Sequence, residues 1–363
     1  NNQNKQSLLK EKYPNRTATM TTMTTMTATT KAMTAIMKTR TSQTNTGMIS
    51  TSSVCNGIKI QHCSIGNPEN PPVLLIMGLG ASMADWNPFD KKLVECGFHV
   101  IKFDNRDVGC SQRFDNMIQD LDPDINSSES DDVFAYTIDD MADDAVAVLD
   151  HYRISKAHVI GASLGGLITQ VVGTRYPKRC ITLTPIMTSY SLLDASNTAF
   201  AKDKELLEKL MTLTKPKEGM SLEEYIDCKL VANAIFSVDP SNPIFSEETK
   251  KRTKQNATTD YKRNGIDWGG AGTNRQAEAI RGWEKFELEA HKGRLESIDI
   301  PTVVLHGVHD SLIPVSYGRQ LADKIPNSRF VEYVGNHSFG NHPDVGNFIL
   351  DVIVDHISQT KKQ

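Results

Sequence analysis

Hydrophobic and polar positions fall into a regular order only from Gly57 onward. Ile58 and Ile60 alternate with polar neighbours, the period of a half-buried strand at a sheet edge. Pro72-Val73-Leu74-Leu75-Ile76-Met77 is a continuous apolar run, as in a strand covered on both faces. A helix is expected over 90–96 and the next strand over 98–103. Thr137 followed by Ile138-Asp139-Asp140 predicts a helix start, with a side-chain oxygen for the free N–H groups and acids in the first turn. Met141, Ala145, Val148 and Leu149 then recur at helical spacing. Ala157-His158-Val159-Ile160 reads as a strand and the run from Gly166 to Val172 as a helix. Further strands are expected at 181–186, 302–306 and 329–334, and a last helix over 344–356. Strands alternating with helices predict an α/β fold: a mostly parallel central sheet with helices on both faces.

Between Met187 and Ile300 this rhythm breaks. Helical patterns cover 193–211, 221–234 and 274–292, and Pro240, Pro243, Gly269 and Gly270 mark loops. An insertion of that length into a parallel-sheet domain suits a helical cap over a site. The expected organisation is therefore a Thr/Met-rich tail (1–53), a first core part (54–187), a cap (188–299) and a second core part (300–363). Simple repeats such as Met20-Thr21-Thr22-Met23 cannot specify a core, so the tail reads as disordered. It holds seven Lys/Arg and one acid, Glu11, a net of +6 that leaves −10 for the rest of the chain. A basic, hydroxyl-rich, acid-poor segment also suits a mitochondrial transit peptide. The stretch 115–132 carries seven acids and reads as an exposed loop, with a cation site as the alternative.

Composition narrows the classes. Hydrophobic residues make up 39% and charged residues 23%, as in ordinary soluble proteins. A net charge of −4 gives no reason to expect nucleic acid or an anionic membrane as partner. No run approaches the ~20 apolar residues of a membrane span, and no secretory signal is visible. Cys55, Cys63, Cys96, Cys110, Cys180 and Cys228 show no C-x-x-C spacing and read as reduced thiols. A cytoplasmic location is expected, or a mitochondrial one if 1–53 targets the chain. Nothing in the pattern sets an oligomeric state.

The chemistry centres on Gly161-Ala162-Ser163-Leu164-Gly165, a G-x-S-x-G pentapeptide between an apolar strand and a helix. Such a turn pushes the serine hydroxyl out above the sheet and aims a backbone N–H at the same point. A serine hydroxyl needs a base within hydrogen-bond reach and a third group to hold that base. In G-x-S-x-G hydrolases the partners follow in the order acid, then histidine. Asp310 lies just past the strand ending at His306, and His337 just past the next strand. Both loops then leave the carboxyl edge of the sheet, where α/β folds place their sites. His342 is the rival base. His306 and His309 beside Asp310 suggest a metal site, but their spacing lies on a strand-to-loop turn rather than a helix face. Oxyanion donors are expected from the N–H of Leu164 and of Leu79, in the glycine-rich loop Met77-Gly78-Leu79-Gly80-Ala81-Ser82.

These segments resemble the α/β-hydrolase superfamily, within it the aclacinomycin methylesterase-like branch, over about residues 57–358. The resemblance rests on Leu75-Ile76-Met77-Gly78-Leu79-Gly80, Phe103-Asp104-Asn105-Arg106-Asp107-Val108-Gly109-Cys110-Ser111, Tyr136-Thr137-Ile138-Asp139-Asp140-Met141-Ala142 and Gly161-Ala162-Ser163-Leu164-Gly165-Gly166. Met77-Gly78 stands where many superfamily members have His-Gly, as in the methylesterase-like branch. The resemblance implies Ser163, Asp310 and His337 as nucleophile, acid and base, with no metal and no organic cofactor. One departure is Val334-Gly335-Asn336-His337, because relatives often carry glycine directly before the histidine.

The expected function is that of a serine hydrolase cleaving a carboxylic ester of a small or medium apolar molecule through an acyl-enzyme. Cleavage of a C–C bond or a peptide by the same residues is an alternative, as is a hydrolase-like binding protein without turnover. An aminopeptidase would need cap acids for the substrate amine, and Glu223, Glu224 and Asp227 are the candidates. Trp268, Trp283 and Phe286 either line a cap pocket or pack the cap.

Overall fold

A computed structural model describes residues 42–43, 49–115, 134–205, 208, 220–237, 247–263, 270–338 and 343–360. These residues build a nine-stranded sheet. Its strands are β1 (Ser42–Gln43), β2 (Ile49–Cys55), β3 (Ile58–Ile65), β4 (Pro72–Ile76), β5 (His99–Phe103), β6 (Ala157–Ala162), β7 (Cys180–Ile186), β8 (Val303–Gly307) and β9 (Arg329–Tyr333). The spatial order is β1-β2-β3-β5-β4-β6-β7-β8-β9. From β5 to β9 every pairing is parallel, whereas β1, β2 and β3 join antiparallel. The order reverses around β4, so the chain winds outward in both directions from there.

Helices cover both faces, as the alternation predicts. On one side lie α2 (Ile138–His151), α3 (Leu164–Arg175) and α9 (Val315–Lys324). Met141, Ala145, Val148 and Leu149 of α2 and Leu167, Ile168 and Val171 of α3 pack there with Leu74, Ile76 and Val159 of the sheet. On the other side α1 (Phe89–Glu95) and α10 (Pro343–Thr360) place Phe89, Leu93, Ile349, Ile353 and Ile357 against Val73, Leu75, Ile160 and Leu305. Alternate residues of one strand thus feed two cores. Thr137 starts α2 as its sequence requires. Its hydroxyl accepts from the Asp140 N–H at 3.1 Å, and the Asp140 carboxylate accepts from the Thr137 N–H at 2.8 Å.

Between β7 and β8 run α4 (Leu192–Lys202), α5 (Leu222–Ser237), α6 (Glu247–Lys262), α7 (Ala271–Phe286) and α8 (Leu288–Leu295). The expected helix over 274–292 is two helices, broken at Glu287. The sequence reading lacks α6 altogether. Its inner face is Thr249, Thr253, Ala257 and Asp260, which leaves no hydrophobic stripe to read.

Two further boundaries differ from expectation. The strand at Ile58 is interior, because β2 pairs along its outer edge and β1 lies beyond that. Residues 49–53, grouped with the tail by composition, therefore lie within β2. The rest of the tail, apart from Ser42 and Gln43, falls outside the described residues. Of the acidic stretch, Asp115 is described, and its carboxylate meets Arg275 at 2.7 Å and Arg113 at 3.1 Å. Among the described residues no helix is long and apolar enough to cross a membrane. All six cysteines are free thiols; burial pushes Cys63 up to about 11 and Cys180 up to about 12.

Candidate active site

Ser163 sits between the last residue of β6 and the first of α3, with φ 55° and ψ −120°. A non-glycine residue in that region carries strain of about 1–3 kcal/mol, sustained only where the surroundings dictate it. Here they do. The Ser163 N–H donates to the Ile186 carbonyl at 2.9 Å, and its own carbonyl accepts from the Thr188 hydroxyl at 2.7 Å. The flanking glycines are obligatory. A Cβ on Gly161 would overlap the Gly165 carbonyl and the Thr169 hydroxyl, and one on Gly165 would overlap the Ile76 carbonyl.

The loops after β8 and β9 bring two more side chains to this turn. His337 places Nε2 at 3.1 Å from Ser163 Oγ and Nδ1 at 2.8 Å from Asp310 Oδ2. Asp310 is buried, and its other oxygen accepts the N–H groups of Leu312 and Ile313 at 3.0 and 2.7 Å. His306 Nε2 lies 3.3 Å from Oδ2 and 2.8 Å from the Ile313 carbonyl. Burial pushes the Asp310 carboxyl upward. The charge of His337 and the hydrogen bonds from His306 and His337 outweigh it and hold the group well below the usual carboxylate range.

Asn336 does more here than a glycine could. Its carbonyl oxygen accepts from the Ser311 N–H at 2.8 Å, the Ser311 hydroxyl at 2.9 Å and the His337 N–H at 2.7 Å. Its amide donates to the Ile235 carbonyl of α5 at 3.3 Å. The Phe236 ring, also from α5, lies 5.7 Å from the His337 ring.

The glycine-rich loop after β4 runs against the serine. A Cβ on Gly78 would come within 3.1 Å of Ser163 Cβ and 3.2 Å of the Ala162 carbonyl. Leu79 follows it. The Gly80 N–H donates to Gln276 Oε1 at 2.9 Å, and Gln276 Nε2 donates to the Arg106 carbonyl at 2.9 Å. A buried glutamine of α7 thereby fixes this loop to the cap. Leu164 is the first residue of α3, where a backbone N–H has no acceptor within the helix.

The alpha/beta hydrolase fold family matches residues 71–340. The chain is an α/β hydrolase. It is similar to the rhodomycin D methylesterase of Streptomyces sp. (strain C5), at 28% identity over 283 residues, covering 74% of this chain and 85% of the relative. It is also similar to a putative carbamate hydrolase of Caulobacter segnis, at 26% identity, covering 74% and 84%. Among solved structures, the enol-lactonase of Burkholderia xenovorans superposes with a TM-score of 0.60 at 18% identity, over 85% of this chain and 99% of that one. The methylesterase-like resemblance of the hydrolase is borne out by such relatives.

The remaining candidates sort themselves by position. His342 and Trp268 lie outside the described residues of the hydrolase. Trp283 is buried in the core and packs 4.9 Å from the His291 ring, while Phe286 is exposed. Glu224 closes a capping box with Ser221 at the start of α5, and Glu223 and Asp227 are exposed. Among the described residues one group of metal-type ligands stands together, Cys55, His62 and His151, and it does not include His306, His309 and Asp310. Both ring nitrogens of His62 are engaged, with the Ser53 hydroxyl at 2.6 Å and the Tyr152 hydroxyl at 2.8 Å. What the sequence did not reveal is Gln276, the connecting role of Asn336, and the support that His306, read there as a metal candidate, gives to Asp310. Gln276 and Asn336 work through backbone groups distant in the chain, for which sequence carries no signal.

Proposed function

We propose that this α/β hydrolase cleaves a carboxylic ester of a small or medium apolar molecule through a serine acyl-enzyme. The observation that carries the reading is His337 spanning Ser163 and Asp310, at 3.1 and 2.8 Å. Ser163 Oγ attacks the ester carbonyl as His337 Nε2 takes its proton. Asp310, kept ionised by its surroundings, holds the Nδ1 proton and stabilises the imidazolium. The N–H groups of Leu79 and Leu164 serve the oxyanion, each worth roughly 3 kcal/mol of barrier. His337 then returns the proton to the departing alcohol. Water attacks the acyl-enzyme with His337 again as base, and the carboxylic acid leaves.

The ester preference draws on the methylesterase relatives. The apolar character draws on Phe236 beside the His337 ring. Residues 188–299 serve as the cap that selects the substrate.

The test is a fluorophosphonate label followed by a panel of esters varying in acyl and alcohol size, with amide and C–C substrates alongside. Wild type should label and turn over esters fastest, and Ser163→Ala should do neither. An unlabelled wild type would favour a binding protein, and faster turnover of the amide or C–C substrate would replace the ester reading.

A further inference from the structure

We infer that the Asn336 carboxamide is a positioning residue that joins the cap to the base, so that the seating of α5 sets how His337 stands over Ser163. The inference rests on the nucleophile and base roles proposed above.

The carboxamide is buried, and both of its ends are used. On the oxygen side it gathers three donors: the backbone and hydroxyl of Ser311, one residue past the acid, and the backbone N–H of the base itself. The loops carrying Asp310 and His337 are thereby held as one unit. Those loops already share a backbone bond, from the His309 N–H to the Gly335 carbonyl at 3.0 Å. The space between them is tight, since a Cβ on Gly307 would come within 2.5 Å of the Gly335 carbonyl and 2.7 Å of the Asn336 carbonyl. On the nitrogen side it donates to the Ile235 carbonyl, 3.3 Å away. Ile235 lies in the last turn of α5, where a helix leaves four carbonyls without internal partners. Asn336 satisfies one of them from the core. The ring of the next residue of α5, Phe236, then lies tilted beside the His337 ring. A glycine in place of Asn336 gives neither connection.

The two ends make separable demands. The acceptor end fixes the base, so its loss lowers kcat and leaves KM for a small ester in place. A base displaced by about 1 Å costs on the order of a hundredfold in rate. The donor end seats α5, so its loss raises KM for a bulky ester that must fit beneath the cap.

The experiment compares full-length wild type, Asn336→Gly and Asn336→Asp, each checked for cooperative thermal unfolding, on one small and one bulky ester. In Asn336→Gly we expect kcat on the small ester to fall about a hundredfold with KM within twofold, and fluorophosphonate labelling to slow in parallel. Asn336→Asp keeps the acceptors and loses the donor. It should recover most of kcat on the small ester while KM for the bulky ester rises several-fold relative to the small one. Labelling of wild type with unaltered kcat in folded Asn336→Gly would overturn the connector alone. So would an unchanged ratio of KM values in Asn336→Asp, a readout that stands even where the glycine variant does not fold. Absence of labelling in wild type would overturn the nucleophile reading, and the connector with it.

Discussion

Asp310 shows how one side chain answers two demands. A buried carboxylate is costly unless its charge is matched, and this one is matched by two imidazoles and two backbone N–H groups. Its depressed pKa links it to acid stability. The stabilisation is fully present above the ordinary carboxylate range and is lost as pH falls below about 4 toward the depressed value. Asp310→Asn should flatten the decline in urea stability between pH 5 and pH 2.5, and at neutral pH should lower kcat by roughly ten thousandfold by favouring the wrong imidazole tautomer. A parallel acid decline in both proteins would remove the linkage. The meeting of Ser163, Asp310 and His337 was legible because each lies within four residues of a strand's carboxyl end, in the order that an elbow pentapeptide leads one to expect. His306 was not. It supports Asp310 from within β8, at a position that reads as a buried strand residue or, with His309, as a metal ligand.

At the scale of elements, the elbow between β6 and α3 is set by steric exclusion, whereas at Gly293 of α8 nothing but helix propensity acts. The contrast gives two glycine substitutions of opposite sign. Gly165→Ala drives a methyl into the Ile76 carbonyl, a clash with backbone that no rotamer relieves. Soluble yield and fluorophosphonate labelling should both collapse. Gly293, exposed in α8, has open space around its missing Cβ. Gly293→Ala should raise unfolding stability by up to about 1 kcal/mol, through helix propensity and a less flexible unfolded chain. Denaturant midpoints with equal slopes would verify the gain, and a loss would mean the helix end is strained. Elements were legible wherever hydrophobicity kept a period. The β1–β2 extension was obscured because Ile49-Ser50-Thr51-Ser52-Ser53 shares the hydroxyl-rich composition of the tail. Helix α6 was obscured because its inner face is small and polar.

Over the whole molecule, Asp260 on the inner face of α6 belongs to a set of buried ion pairs that fasten the cap to the core. Arg275 of α7 grips Asp107 with contacts of 2.9 and 2.6 Å, and Arg263 pairs with Asp104. Lys229 of α5 lies 3.3 Å from Asp85 and 4.0 Å from Asp260, whose carboxylate also takes the Ser82 hydroxyl. Burial and the neighbouring Asp85 push Asp260 up to about 7, against the pull of Lys229. The sign follows. The folded state holds a proton that the unfolded chain releases near pH 4, so this group's contribution to stability falls as pH rises from about 4 through 7. Lys229, held above its usual range, contributes equally from pH 5 to 8 and does not enter. His62 and His291, lowered to about 4 and about 3 by burial, act oppositely and favour folding as pH rises toward 7. The wild-type profile therefore mixes two trends, and the informative quantity is the difference between wild type and Asp260→Asn. The asparagine keeps an acceptor for Ser82 and never ionises. Its stability relative to wild type should climb from pH 5 to pH 8 at fixed ionic strength, measured as the shift in Tm. A difference that stays constant over that range would mean Asp260 is ionised throughout, fully neutralised by Lys229, and that the cap is fastened by ordinary ion pairs rather than by a group that titrates near neutrality.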